Sequence, residues 1–240
     1  LNLDVHDLTL QEDGKVLVGG KFTSFNNSSV GRVARINTEG SLDSYFNAAS
    51  GFNGAVNIIK LQQDGKFLVG GDFTAYNGAT VGRLARLNPD GTLDGSFRPK
   101  KGFNGNVESV DLQKDGRILV GGSFTGYQNI STNAIARLNS DGTIDPSFSP
   151  NLKRNSVVNK IVSLENGKAL VVGQLIDNSG RLIFGLVRLQ TDGLLDNTFK
   201  VSSELKNPII SFSVQTEDKI IVMGNNYVHR LNSDGSLDTS

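Results

Sequence analysis

The chain has 240 residues with 24 basic and 24 acidic side chains, so its formal net charge is zero and it lacks a general attraction for nucleic acid or anionic lipid. Cysteine is absent, which excludes a disulfide framework, a thiolate metal site and a thiol nucleophile. No apolar run approaches the roughly 20 residues of a membrane-spanning helix, so direct membrane insertion is not expected, and 28 glycines against 5 prolines point to many tight turns.

The first landmark along the chain is the pair Asp13-Gly14. It recurs as Asp64-Gly65, Asp115-Gly116 and Asn166-Gly167 at a constant interval of 51 residues, and Glu217-Asp218 takes the next place with Asp for Gly. A period of this size denotes a propeller, a solenoid or an array. Five units result, at about 1–46, 47–97, 98–148, 149–199 and 200–240. In unit 2 the alternating stretch Val56–Gln62 predicts a first strand, followed by the Asp-Gly turn and a second strand over Lys66–Phe73. A polar loop then leads to a third strand, Gly82–Asn88, and a Pro-Asp-Gly turn opens a fourth, Thr92–Phe97. No copy shows helical periodicity. Four short antiparallel strands per unit describe an all-β fold, one propeller blade per repeat, and fit better than the usually shorter coil of a β-solenoid. The expectation is a single β-propeller domain over 1–240, with a closed ring of five blades favoured over part of a larger ring. The start at Leu1 and the ending "LDTS", without the final Phe of its unit, read as a fragment or processed form, which leaves room for a larger multidomain chain or assembly.

The recurring pattern, "KFLVGGDFTAYN" (Lys66–Asn77) followed by "GRLARLNPDGTLDGSF" (Gly82–Phe97), resembles the delta-60 repeat, a β-propeller repeat grouped as a domain of unknown function. The match is close in units 1 to 3, weaker in unit 4, where Val172 replaces a Gly and Leu175 a Phe, and weaker again in unit 5. The resemblance implies a large secreted or cell-surface bacterial protein, of a kind often found in the Bacteroidota, with no established catalytic activity.

Several recurring residues invite chemistry. Arg35 and Asp43, Arg86 and Asp94, Arg137 and Asp145, Arg188 and Asp196, and Arg230 and Asp238 are each eight residues apart. With a three-residue hairpin loop, Arg86 faces Asp94 on one sheet face while Leu87 faces Leu93 on the other, so these read as structural ion pairs between packed blades. The alternative is a ring of carboxylates for catalysis or metal binding. The turns Asn88–Asp94 and Asn139–Asp145 hold clustered oxygens of the kind calcium favours, but lack the remaining acidic ligands of a calcium loop. Positive φ at Gly is sufficient cause for each Asp-Gly pair. Gly19-Gly20, Gly70-Gly71 and Gly121-Gly122 precede no helix, so close backbone approach explains them better than phosphate binding. No cofactor and no metal are expected.

The loop after the second strand is the leading contact surface. Phe25, Tyr76 and Tyr127 occupy equivalent places, each followed by an amide side chain, Asn26, Asn77 or Gln128. A ring beside an amide suits a sugar or a protein partner, while the structural alternative is a ring covering the next blade. Unit 5 has lost nine residues here, since 42 rather than 51 separate Arg188 from Arg230, and Asn225-Asn226 suits a tight turn. Unit 4 keeps a loop, Gln174–Phe184, without the aromatic, so such a surface lies over units 1 to 3. The segments Gly51–Val56 and Gly102–Val107 offer a second surface, though their glycines give them the look of plain connectors. Neither His6 and His229, at non-equivalent positions, nor the unpaired acids Asp72, Glu108 and Asp111 form a recognisable catalytic set. The leading function is therefore a non-catalytic binding or scaffold domain, extracellular or at the bacterial surface, serving adhesion or recognition of a protein or surface glycan. The alternatives are a tail or fibre component of a phage virion and a propeller-type glycoside hydrolase.

Overall fold

Apolar alternation on either side of each turn pair produces an antiparallel hairpin, and five of these recur in a computed structural model that describes residues 1–97, 101–205 and 208–240. The first, or inner, strand of each unit is Val5–Leu10, Val56–Leu61, Val107–Leu112, Val157–Ser163 and Ser211–Val214. The middle strands are Val16–Gly20, Phe67–Gly71, Ile118–Gly122, Ala169–Ile176 and Ile220–Met223. The outer strands are Val33–Ile36, Leu84–Leu87, Ile135–Leu138, Leu182–Leu189 and Val228–Leu231, and each unit is one three-stranded antiparallel sheet with the middle strand central. Gly65 adopts φ +79° in the hairpin turn, and Asp218 takes over that left-handed place in unit 5 with φ +55°. The inner strands of units 1 to 4 lie side by side, and each sheet packs face to face on the next.

The fourth strand expected in each unit shrinks to a single bridge, Leu87↔Leu93 in unit 2 and Leu231↔Leu237 in unit 5. The cause is the following aspartate. Asp94 Oδ1 accepts the N–H of Ser96 at 2.9 Å and its backbone oxygen accepts that of Phe97 at 3.2 Å, which turns the chain off the sheet. Unit 4 differs in the other direction. With Val172 in place of a Gly, its middle and outer strands run on for eight residues each, so most of the expected loop 174–184 is strand. The polar loops of units 1 to 3 instead fold into two-residue ribbons such as Ala75–Tyr76 with Ala79–Thr80.

Interlocking faces form the core. Leu17 and Val33 of unit 1 pack with Val69, Phe73 and Ala85 of unit 2, and the same pairing of faces recurs between units 2 and 3, 3 and 4, and 4 and 5. The glycine pairs permit this approach. A Cβ at Gly70 would lie 2.5 Å from Val107 Cγ1, and one at Gly71 would lie 2.1 Å from the Ala55 oxygen. The connectors are part of the interface as well. Phe52 and Phe103 are buried, and Gly82 passes backbone to backbone against Gly102. A Cβ at Gly82 would sit 2.0 Å from the Lys101 oxygen. Gly82→Ala should therefore destabilise the protein by about 1–3 kcal/mol. Gly95→Ala, where the space is open, should leave the urea midpoint unchanged.

Closure of the five units into a ring is not seen among the described residues. Among the described residues no hydrogen bond or ion pair joins unit 5 to unit 1, and each of these units presents an exposed apolar face: Leu8 and Leu10 on unit 1, Met223 and Val228 on unit 5. Their equivalents elsewhere are buried between sheets or half-buried against them. The Lys100-Lys101 cluster lies in part outside the described residues.

Candidate functional site

The five Arg–Asp pairs form as the hairpin register dictates. Arg Nε to Asp Oδ2 distances are 2.7 Å in units 1, 2 and 3, 2.8 Å in unit 4 and 2.6 Å in unit 5. A third member joins each, the base two residues after the turn aspartate or its equivalent: Lys15, Lys66, Arg117, Lys168 and Lys219 donate to the same oxygens at 2.9–3.0 Å. The guanidinium also reaches the next unit, with Arg86 Nη1 donating to the Ser140 oxygen at 2.6 Å, and it lies over the Phe97 ring at 4.8 Å. Burial pushes the Asp43 carboxyl up, but hydrogen bonds from Lys15, the Tyr45 N–H and Arg35 outweigh it and hold the group at about 2. With every oxygen occupied by chain partners, these carboxylates act as rivets.

The aromatic–amide loop is likewise taken up by the fold. Tyr76 and Tyr127 are buried, tilted against Phe52 and Phe103 at 4.5 and 4.6 Å, and their hydroxyls donate to the Gly91 and Gly142 oxygens. Asn26, Asn77 and Gln128 adopt φ of 45°, 48° and 56°, the left-handed place of the ribbon turn, and Asn77 Oδ1 accepts the Gly51 N–H at 2.7 Å. Phe25 is half-buried on the apolar face of unit 1. The rings of Tyr76 and Tyr127 are thus sealed from any ligand. Sequence spacing could not separate a ring that stacks on a sugar from one that stacks on the preceding connector.

Chemistry collects instead on the inner strands. In units 1 to 4 each carries a bulge, and the residues set out of register are His6, Asn57, Glu108 and Asn159, all polar. A bulge re-aims its side chain and often lies beside a functional site. His6 Nδ1 lies 3.2 Å from Asn57 Oδ1, and Asn57 Nδ2 donates to Glu108 Oε2 at 3.0 Å, a chain across three units. A second tier surrounds a cleft of about 510 Å³ lined by Asp7, Lys60, Asp111 and Lys160. Lys60 Nζ and Asp111 Oδ1 are 2.5 Å apart. Asp7 Oδ2 accepts the Ile59 N–H at 2.6 Å, Asp111 Oδ2 accepts that of Ser163 at 2.7 Å, and Lys160 Nζ donates to the Phe212 oxygen at 2.7 Å. Each side chain thereby holds the backbone of the following inner strand, where the sheets splay and cannot pair.

Burial raises the carboxyl pKa of Asp7, against the Ile59 and Leu8 amides that lower it. Burial also raises that of Glu108, offset by the Asn106 side chain and reinforced by the charge of Asp72. The Lys160 ammonium moves the other way, its pKa lowered by burial. Asp7 and Lys160, an acid and a base pushed towards neutrality around one cleft, mark a candidate site. Of the acids singled out in the sequence, Asp111 lines it, and Glu108 belongs to the bulge chain with Asn57. Asp72 stays exposed, and Asp7, Lys60 and Lys160 carried no repeat signal because each occurs once. His229 lies on the outer strand of unit 5 near Tyr227, far along the fold from the His6 chain. Among the described residues no group of three or more His, Asp or Glu is placed to hold a metal ion.

Successive sheets with their inner strands gathered around one cleft define a β-propeller arrangement. The family described as a domain of unknown function (DUF5122) beta-propeller matches residues 11–46, 62–97, 113–148, 164–199 and 216–240, and the chain belongs to that family. Among solved structures it is similar to the extracellular domain of a putative one-component system from B. thetaiotaomicron, with 17% identity and a TM-score of 0.62 over 96% of this chain and 27% of that one. It is also similar to PorZ, a surface component of the type-IX secretion system of Porphyromonas gingivalis, with 13% identity, TM-score 0.53, and 93% and 31% of the two chains covered. A gluconolactonase from Xanthomonas campestris matches with 16% identity and TM-score 0.53 over 97% and 74%. At these identities the likeness is one of fold, and the chain spans less than a third of the first two proteins. The comparison with curated proteins found no sequence relative.

Proposed function

We propose that the chain is a non-catalytic recognition module displayed outside a bacterial cell, and that its inner-strand cleft binds a polar ligand of no net charge, a surface glycan being the class that fits. The observation that carries this reading is where the repeats differ. The units share their turns, rivets and core faces, yet the cleft positions carry Asp7 in unit 1, Lys60 in unit 2, Asp111 in unit 3 and Lys160 in unit 4. The shared turns, rivets and core faces do not call for that variety, although Asp7, Asp111 and Lys160 also brace the backbone of the following strand. Two carboxylates and two ammonium groups around one cleft sum to no net charge while offering fixed donors and acceptors, which suits hydroxyl-rich ligands. Binding rather than turnover is supported by the backbone hydrogen bonds that immobilise Asp7, Asp111 and Lys160. An exterior location is supported by the extracellular and surface proteins among its structural relatives.

A glycan array probed with the purified protein tests this, with uncharged glycans expected to bind. Lys60 is the informative change because its side chain is 40% exposed and its partner Asp111 keeps the Ser163 amide. Lys60→Ala should weaken glycan binding at least ~10-fold, the equivalent of about 1.4 kcal/mol, with the melting temperature little changed. Equal binding by the variant, or no binding of any glycan, refutes the proposal. Release of cleaved sugar from a bound glycan would favour the hydrolase alternative.

A further inference from the structure

The geometry points to a second binding pocket, for an N-acetylated amino sugar, at the junction of units 3 and 4 and outside the inner-strand cleft. It is framed by the ribbon of unit 3, the turn after Asp145 and the connector into unit 4, and measures about 370 Å³. The junction of units 1 and 2 has the same pocket two repeats earlier, lined by Ser29, Val30, Leu42, Phe46, Ala48 and Ala49. There it measures about 130 Å³ and its lining is almost wholly apolar.

The substitutions between the two junctions account for the change. Ser29, Leu42 and Phe46 correspond to Ser131, Ile144 and Phe148, so the frame is kept. Val30 becomes Thr132, Gly31 becomes Asn133, and Ala48-Ala49 becomes Pro150-Asn151, so polar groups enter. In units 1 and 2 the backbones of Gly31 and Gly82 touch those of Gly51 and Gly102. There Arg32 and Arg83 donate through Nη1 to the connector oxygens of Phe52 and Phe103 at 2.6 and 2.9 Å. Unit 3 has Ala134 in place of that arginine, and Asn133 takes over its contact, Nδ2 donating to the Leu152 oxygen at 2.8 Å. A side chain now stands between ribbon and connector where two backbones met, and the pocket opens beside it.

The groups around the pocket select its ligand. Asn133 Oδ1 is shielded from bulk solvent and accepts no hydrogen bond among the described residues, a state that calls for a donor. Asp145 is the one charged side chain on the wall, and its oxygens are taken by Arg117, Arg137 and Ser147, so a neutral ligand is favoured. Ile144, Pro150 and Leu152 supply an apolar floor, while Ser131 and Ser149 are exposed at the rim. An acetamido group on a pyranose ring combines an N–H for Asn133, a methyl for the floor and neighbouring hydroxyls for the rim. A plain hexose lacks the first two, and a free amino sugar brings a positive charge with no partner. The pocket and the cleft share no residue, so either reading can fail without the other.

Titration of N-acetylglucosamine into isotope-labelled protein, followed by amide chemical shifts, is the test. Saturable shifts are expected at Ser131, Asn133 and Leu152, with glucose binding at least ~10-fold more weakly. Ser149→Trp fills the rim and should abolish saturation with the melting temperature unchanged. Asn133→Gly restores the residue of units 1 and 2 and should bring the two sugars to equal affinity. Should Asn133→Gly fail to fold by circular dichroism, Ser131→Trp, at another exposed rim position, takes its place and should abolish saturation as Ser149→Trp does. Shifts confined to inner-strand amides would put the sugar in the cleft and overturn the inference. So would equal binding of both sugars by the wild type, no saturable shift with either, or undiminished binding by Ser149→Trp.

Discussion

Asp94→Ala should lower the melting temperature by about 6–12 °C, measured by scanning calorimetry. Asp94 is the acceptor at the centre of a three-sided contact: Arg86 Nε at 2.7 Å, Lys66 Nζ at 3.0 Å, and the Ser96 amide and hydroxyl at 2.9 and 2.7 Å. Removing the carboxylate leaves the Arg86 guanidinium, 10% exposed, without its counter-charge and facing a second cation. Breaking a buried pair in this way costs about 3–5 kcal/mol. The lower end applies because Lys66, at 29% exposure, can turn to water. About 3 kcal/mol in a chain of this size moves the midpoint ~2–4 °C per kcal/mol. Arg86→Met should lower it less, since Lys66 still neutralises Asp94 and Met still covers the Phe97 ring. Asp238→Ala should have a smaller effect again, because Arg230 is 40% exposed and makes no contact with a following unit. Equal midpoints for Asp94→Ala and the wild type would remove the riveting role.

The same pairs show why so much of the fold was legible in the sequence. A hairpin loop of fixed length converts the eight-residue spacing into a cross-strand contact, and the repeat supplies it five times. Lys66 was missed for the same reason reversed: its partner lies 28 residues away, across a strand pairing that spacing alone does not specify. The connectors looked like linkers, yet Gly82 and Gly102 are there because two backbones touch. The cleft was the least legible part. Period analysis finds what recurs, whereas Asp7, Lys60 and Lys160 are the residues that do not. The signal that could have found them was the polar residues on an otherwise apolar inner strand, read as departures from the repeat. Closure was hidden for another reason. A linear repeat gives the number of units but not the angle between sheets, which depends on side-chain volume at each interface.

Acid should unfold the protein, with the urea midpoint level from about pH 6 to 8 and falling steeply below about pH 4. The sign follows from the rivets. Burial raises each carboxyl, but hydrogen bonds from hydroxyl, amide, ammonium and guanidinium donors outweigh it, and Asp43 settles at about 2 while Asp94, Asp145 and Asp196 are held well below the ordinary range. For Asp238 the Lys219 ammonium is the leading cause of the same lowering. A carboxyl whose folded pKa is depressed stabilises the fold above its unfolded value of about 3.9. That stabilisation is lost as pH falls through the folded value. Asp7 and Glu108, raised by burial, act in the opposite sense and favour the fold at low pH, but they are two against five. Protonating one rivet leaves its arginine and lysine side by side, so the losses compound as the units repeat. Asp94→Asn, which has one such carboxyl fewer, should start from a lower midpoint at pH 7 and fall less between pH 5 and 3. A wild-type midpoint at pH 3 equal to that at pH 7 would show that the carboxylates sit in water rather than between cations.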